Sequence, residues 1–161
     1  MKESSTEFKE SLYLPITIRI AGAKILIIGG GKVATHKATL LSRFTHHATL
    51  IAPEITDDIK ALPFEWKEKS FEASDLKGVD LLYVCTGDHD LNRHIKQLAA
   101  EQGILTSVCD DPQLCDFISP AIYRKDNLTI AVGSDAQDVR RSIRVRDHIE
   151  ENIDNGKLSI Q

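Results

Sequence analysis

The sequence is poor in features that would place it in several familiar classes. It has three cysteines, Cys85, Cys109 and Cys115, an odd number with no C-x-x-C spacing. That gives no support to a zinc site and reads as free thiols in a reducing cytoplasm. Positive charge is not in excess, since the formal net charge is −4; nothing argues for nucleic acid or an anionic membrane as partner. No apolar run approaches the about 20 residues that span a bilayer. Residues Met1 to Glu10 are polar with mixed charge and lack an apolar h-region, so they do not read as a secretory signal; residues 1–11 read as a frayed leader. There is no internal repeat and no low-complexity tract. Histidines are scattered (His36, His46, His47, His89, His94, His148), most read as surface residues, and none builds a serine–histidine triad. What remains is a chain of 161 residues, 42% hydrophobic and 27% charged. That composition belongs to one globular domain, with room for an appendage.

The informative stretch is Lys24-Ile25-Leu26-Ile27-Ile28-Gly29-Gly30-Gly31-Lys32-Val33-Ala34. An apolar run enters three glycines and a helical pattern follows at once, so the order is strand, tight turn, helix. Gly29-x-Gly31-x-x-Ala34 fits the dinucleotide-binding fingerprint, whose last position admits Ala. The first glycine turns the chain, the second lets backbone approach a pyrophosphate, and Ala34 lets helix and strand pack closely. The pyrophosphate then meets unpaired N–H groups at the positive end of the helix. The bland alternative is an ordinary glycine turn in a parallel sheet.

The rest of the chain supplies such a sheet. Ala34, Ala38, Leu41 and Phe44 share a helix face, and Ala48 to Ala52 reads as the second strand, ended by Pro53. A short helix over Glu54 to Leu62 and a strand over Phe64 to Lys67 follow. Asp80 to Thr86 is nearly all apolar, as a central parallel strand is. Asp88 to Glu101 is a helix with Leu91, Ile95, Leu98 and Ala99 toward the core, Gly103 stops it, and Ile104 to Val108 is the fifth core strand. Before all this, Leu12 to Ile20 reads as an extended segment over a sheet edge. After Pro112 the alternation stops: an apolar stretch over Phe117 to Tyr123, a strand over Asn127 to Gly133 and a helix over Asp138 to Ile153 remain. The expected fold class is α/β, a Rossmann-type doubly wound parallel sheet (12–112), followed by a small α+β segment (113–161) that is too small for a large core of its own. It would pack on a second copy of the chain or on the Rossmann unit.

Ligands in such sheets bind beyond the carboxyl ends of the strands. The residues there are Gly29 to Val33, Ala52 to Glu54, Thr86 to Asp88 and Cys109 to Pro112. Glu54 comes slightly late for the acidic residue that holds ribose hydroxyls, so backbone at Pro53 and Glu54 could hold the adenosine instead. No Arg or Lys stands there to accept a 2′-phosphate, which favours NAD over NADP. Asp110 and Asp111 end the fifth strand; one of them could face the ligand and take a proton, or both could simply turn the loop before Pro112. Arg140, Arg141, Arg144 and Arg146 cluster on the last helix, with Arg140 and Arg144 one turn apart. Guanidinium forks suit carboxylates or phosphates; the alternative is a solvated face paired with Glu150 and Glu151.

Taken together these motifs resemble the precorrin-2 dehydrogenases, including the N-terminal module of multifunctional siroheme synthases. The resemblance runs from Leu12 to Ile153. It is carried by Tyr13-Leu14-Pro15, Gly29-Gly30-Gly31-Lys32-Val33-Ala34 followed by Lys37, Ile51-Ala52-Pro53-Glu54, Val108-Cys109-Asp110-Asp111-Pro112, Asp116-Phe117-Ile118-Ser119-Pro120-Ala121 and Leu128-Thr129-Ile130-Ala131-Val132. It implies NAD-dependent oxidation of precorrin-2 to sirohydrochlorin in siroheme biosynthesis, in the cytoplasm. Several members also insert ferrous iron, which would make Fe2+ a further substrate. By resemblance, the NAD contacts map to Gly29, Gly30, Gly31, Lys32, Val33, Pro53 and Glu54, and the catalytic aspartate to Asp110. Thr86, at the exit of a neighbouring strand, is added to the cofactor contacts. The carboxylate-rich substrate gives Arg140 and Arg144 a use, and Ser134 joins them from the turn before the last helix. That turn reads Gly133-Ser134-Asp135-Ala136-Gln137-Asp138 where members carry a Gly/Ser-rich turn ending in Ser-Pro. Members are homodimers that exchange the segment after the Rossmann unit. The reading from another class is a non-catalytic nucleotide-sensing module, which needs the glycines but has no use for Asp110 or the arginines.

Overall fold

The computed structural model describes residues 10–160. Most of the expected leader lies outside the described residues. The chain divides into two compact units, one of Ile18–Ile118 and one made of the stretch up to Thr17 together with the chain from Ser119.

The first unit is a five-stranded parallel sheet. Its strands are β1 (Ile25–Ile28), β2 (Ala48–Ala52), β3 (Glu65–Glu68), β4 (Leu81–Val84) and β5 (Leu105–Val108). They lie in the order β3-β2-β1-β4-β5. Helices α1 (Lys32–Leu41), α2 (Asp57–Lys60) and α3 (His89–Glu101) make the crossovers. Burial on both faces calls for apolar side chains: β1 is apolar and buried throughout, and β2 departs from this only at the half-buried Thr49. Alternate side chains serve opposite faces. Ile25, Ile27 and Leu50 pack with Ala34, Ala38 and Leu41 of α1 and Ile59 of α2. Leu26, Ile28, Ile51, Leu82 and Val84 pack with Ile95 and Ala99 of α3. The sheet is therefore covered on both faces, the doubly wound arrangement expected from the sequence.

In-register pairing sets the functional edge. Ile28 stands beside Ile51 and Val84, and Val84 beside Val108. The next residues of β1, β4 and β5, namely Gly29, Cys85 and Cys109, therefore leave the sheet together. Cys85 and Cys109 form a disulfide with Cα atoms 5.2 Å apart, and only Cys115 is a free thiol among the described residues. This corrects the expectation of three free thiols. Two cysteines far apart in sequence became neighbours because each follows the last residue of an adjacent parallel strand, at a separation a disulfide can bridge.

One boundary also differs from expectation. Helix α1 ends at Leu41, so Phe44 lies beyond it in a turn. Leu12 to Ile20, read as an extended segment, joins no helix or strand, and Leu14 there is 83% exposed. Pro15 has no N–H to pair, and the N–H groups of Leu12 and Tyr13 instead donate to the Asp135 carboxylate at 3.0 and 2.9 Å.

The second unit holds an antiparallel hairpin, β6 (Ala121–Lys125) and β7 (Leu128–Val132), turned at Asp126 with φ 52°. Helix α4 (Val139–Asp154) packs on both strands. Asp138 caps it, accepting from the Arg141 N–H at 2.8 Å. Val139, Ile143 and Val145 of α4 are exposed.

Candidate functional site

The three glycines do three different things. Gly29 adopts φ 136°, a region side chains disfavour, and an added Cβ would stand 2.4 Å from the Cys85 carbonyl oxygen. A Cβ on Gly30 would stand 1.8 Å from the Glu54 carbonyl oxygen and 2.9 Å from the Ala52 Cβ. Gly31, the N-cap of α1, has ordinary extended backbone (φ −94°, ψ −165°) and nothing within 4 Å of a Cβ position. The first two glycines are thus required by the protein's own packing. The third faces open space.

That space fronts the start of α1. The first intrahelical acceptor is Gly31 O, which takes the Thr35 N–H at 2.9 Å. No side chain caps the helix and no acidic residue occupies its first turn. N–H groups of the first turn have no acceptor within the helix, and the helix dipole adds to their pull on an anion. Exposed Lys32 and Val33 flank the opening. A pyrophosphate fits this donor set, and a side chain at Gly31 would fill the approach to it.

The β2–α2 loop is tied to the same turn. The Thr56 N–H donates to Gly30 O at 3.1 Å, and the hydroxyls of Thr35 and Thr56 lie 3.1 Å apart. Pro53 and Glu54 are thereby held exposed at the end of β2, beside the glycines. Thr35 and Thr56 were not foreseen as parts of the site. Their only signal was a hydroxyl residue near each helix start, Thr35 in the first turn of α1 and Thr56 as the N-cap of α2.

The two aspartates after β5 separate cleanly. Asp111 caps a short 3-10 turn, Pro112–Leu114, accepting from the Gln113 N–H at 3.0 Å. Asp110 turns instead toward the start of α3. Asn92 Nδ2 donates to its two carboxylate oxygens at 3.2 and 3.4 Å, and His89 Nδ1 lies 2.7 Å from Oδ2. The Asp110 side chain keeps 31% exposure. Thr86, at the exit of β4, bonds Asn92 twice: its hydroxyl donates to Asn92 Oδ1, and its carbonyl accepts from Nδ2 at 3.1 Å. The start of α3 is itself secured by Asp88, whose carboxylate accepts from the N–H groups of Asp90 and Leu91 at 3.0 Å.

So Gly29 to Val33, Pro53, Glu54, Thr86 and Asp110 all occupy the carboxyl edge of one sheet. Ser134, Arg140 and Arg144 belong to the other unit. Arg140 and Arg144 are exposed and pair with no carboxylate among the described residues, Glu150 and Glu151 included, whereas Arg146 pairs with Asp147 at 2.6 Å. A cleft of about 380 Å³ lined by residues 42–47 lies in the connection into β2, at the opposite edge of the sheet, and carries none of this chemistry. Among the described residues no group of three or more His, Cys, Asp or Glu could hold a metal ion, and no helix is long and apolar enough to cross a membrane.

The sheet order and the open helix start define a dinucleotide-binding Rossmann module. A family model described as "Putative NAD(P)-binding" matches residues 16–121. Siroheme synthase of Nitrosococcus oceani is 35% identical over 130 residues, covering 76% of this chain and 27% of that protein. Siroheme synthase of Ectopseudomonas mendocina is 38% identical over 138 residues, covering 83% and 30%. The chain spans less than a third of the length of these relatives. Among solved structures, "SirC, precorrin-2 dehydrogenase" superposes with a TM-score of 0.77 at 21% identity, over 87% of this chain and 70% of that one. The chain belongs to the NAD(P)-binding family so matched, with siroheme synthases among its relatives, as the sequence resemblance implied. Its cofactor is a nicotinamide dinucleotide.

Proposed function

We propose that this chain catalyses the NAD+-dependent oxidation of precorrin-2 to sirohydrochlorin, with Asp110 as the acid–base group. The observation that carries the reading is the position of that carboxylate. It is partly exposed, and it leaves β5 at the same sheet edge as the glycine turn. Bound NAD+ supplies the hydride acceptor. The backbone donors of α1 bind its pyrophosphate, and Pro53, Glu54 and Thr86 flank the cofactor. The oxidation removes a hydride and a proton from the ring system, and Asp110 accepts the proton. Arg140, Arg144 and Ser134 serve the substrate's carboxylates, for which unpaired guanidinium forks are suited.

The same reading makes residues 12–112 the cofactor domain and 113–161 a dimerisation and substrate-binding segment of a cytoplasmic homodimer. The exposed Val139, Ile143 and Val145 of α4 support such an association. Fe2+ insertion into sirohydrochlorin is a second activity of this reading, with the metal as substrate. Anaerobic incubation of sirohydrochlorin with Fe2+ tests it, and a rate equal to the protein-free control dismisses it. The principal test is anaerobic incubation of the chain with precorrin-2 and NAD+, followed by NADH absorbance. Formation of NADH and sirohydrochlorin is expected; dinucleotide binding without turnover would instead favour a sensor.

A further inference from the structure

Asn92 is the residue on α3 that ordinary packing does not explain. It is 1% exposed and follows the same spacing as Ile95 and Ala99, the buried face of the helix. An aliphatic side chain there would need no partners, whereas a buried amide costs stability unless every donor and acceptor is met. Each of them is met at the carboxyl edge of the sheet. Oδ1 takes the Thr86 hydroxyl, and Nδ2 serves the Thr86 carbonyl and the Asp110 carboxylate. An amide has one acceptor end and one donor end. Because the Thr86 carbonyl and the Asp110 carboxylate can only accept, the NH2 group must face them both, and a flip would put the amide oxygen against two acceptors.

The second contact to Asp110 is of another kind. The His89 side chain is 77% exposed, so water can replace it and it adds little. Asn92 is shielded from water and stands one turn inside a helix whose start Asp88 caps, a rigid support. We propose that Asn92 is a positioning residue, whose buried amide, locked by Thr86, aims the Asp110 carboxylate at the reacting proton. This rests on the reading of Asp110 as the acid–base group.

The test is a double-mutant cycle on the full chain, using NADH formation from precorrin-2. Asn92→Leu keeps the volume and removes the donor. It is expected to lower kcat by about 30- to 100-fold, the scale of a misplaced catalytic group, while NAD+ affinity and KM stay within about 3-fold. In an Asp110→Asn background the same change should cost at most about 2-fold more. A loss of equal size in both backgrounds would mean that Asn92 acts through the fold and not through Asp110, and would overturn the proposal. So would an unchanged kcat. If Asn92→Leu does not fold, Asn92→Asp decides: it keeps size and still accepts from Thr86, but turns a like charge on Asp110. A fall in kcat with the melting temperature held supports the proposal, and wild-type kcat overturns it. A wild-type chain that makes no NADH from precorrin-2 removes the reading of the site, and this inference with it, before any variant is made.

Discussion

Replacing Gly31 with alanine should leave the fold intact and weaken the cofactor site. The added Cβ meets nothing within 4 Å, and the backbone there is ordinary extended chain. Alanine is a poorer N-cap than glycine, at a cost of about 0.5–1 kcal/mol. Its smaller freedom in the unfolded chain returns about 0.4–1 kcal/mol. The two nearly cancel, so the melting temperature should move by no more than about 2 °C. The methyl group does, however, occupy the approach to the first-turn N–H groups of α1. A hydrogen bond to a charged group is worth about 1.5–3 kcal/mol, so losing one phosphate contact should raise the Kd for NAD+ by about 10- to 100-fold. Calorimetric titration with NAD+, beside a thermal melt, reads both quantities. A Gly31→Ala protein that binds NAD+ within about 2-fold of wild type would refute the placement of the pyrophosphate and leave a plain structural turn.

Gly30→Ala should behave oppositely: its Cβ would stand 1.8 Å from the Glu54 carbonyl, so the β2–α2 loop must move, at a cost of at least about 3 kcal/mol, readable by urea denaturation. Asp88→Ala removes the carboxylate that caps α3 and should cost about 1 kcal/mol, measured the same way. Burial lowers the Lys37 ammonium below the usual lysine range, opposed by the nearby Cys115. Between that lowered value and the ordinary one the unfolded chain holds more protons than the native one, so stability from this group rises with pH. Lys37→Met should therefore be more stable than wild type near neutrality, and its advantage should shrink as pH climbs toward the ordinary lysine value. Paired denaturation curves at several alkaline pH values check this, and an advantage that stays constant with pH contradicts it.

The parallel sheet was legible because strands buried on both faces are mainly apolar runs. Ala48–Ala52 could be read to the residue, and the glycine turn marked the site edge. What escaped depended on register and on side-chain direction. Asp110 and Asp111 are chemically identical in sequence, and only the 3-10 turn after β5 assigns one to the loop and the other to α3. His89 read as a surface residue, and by exposure it is one, yet its ring nitrogen reaches Asp110. Asn92 was hidden by its helical period, since a polar residue at a core position of α3 is visible only to a reader who asks why it is not leucine. The Cys85–Cys109 bond required knowing that β4 and β5 pair with Val84 beside Val108.

The most direct measurement is NADH formation by wild type and by Asp110→Asn in anaerobic mixtures of precorrin-2 and NAD+. Wild type should reduce NAD+ as sirohydrochlorin appears. The variant should bind NAD+ with unchanged affinity and turn over about 100-fold or more slowly, the scale of a lost general base. Wild-type turnover in Asp110→Asn would contradict the role given to that carboxylate.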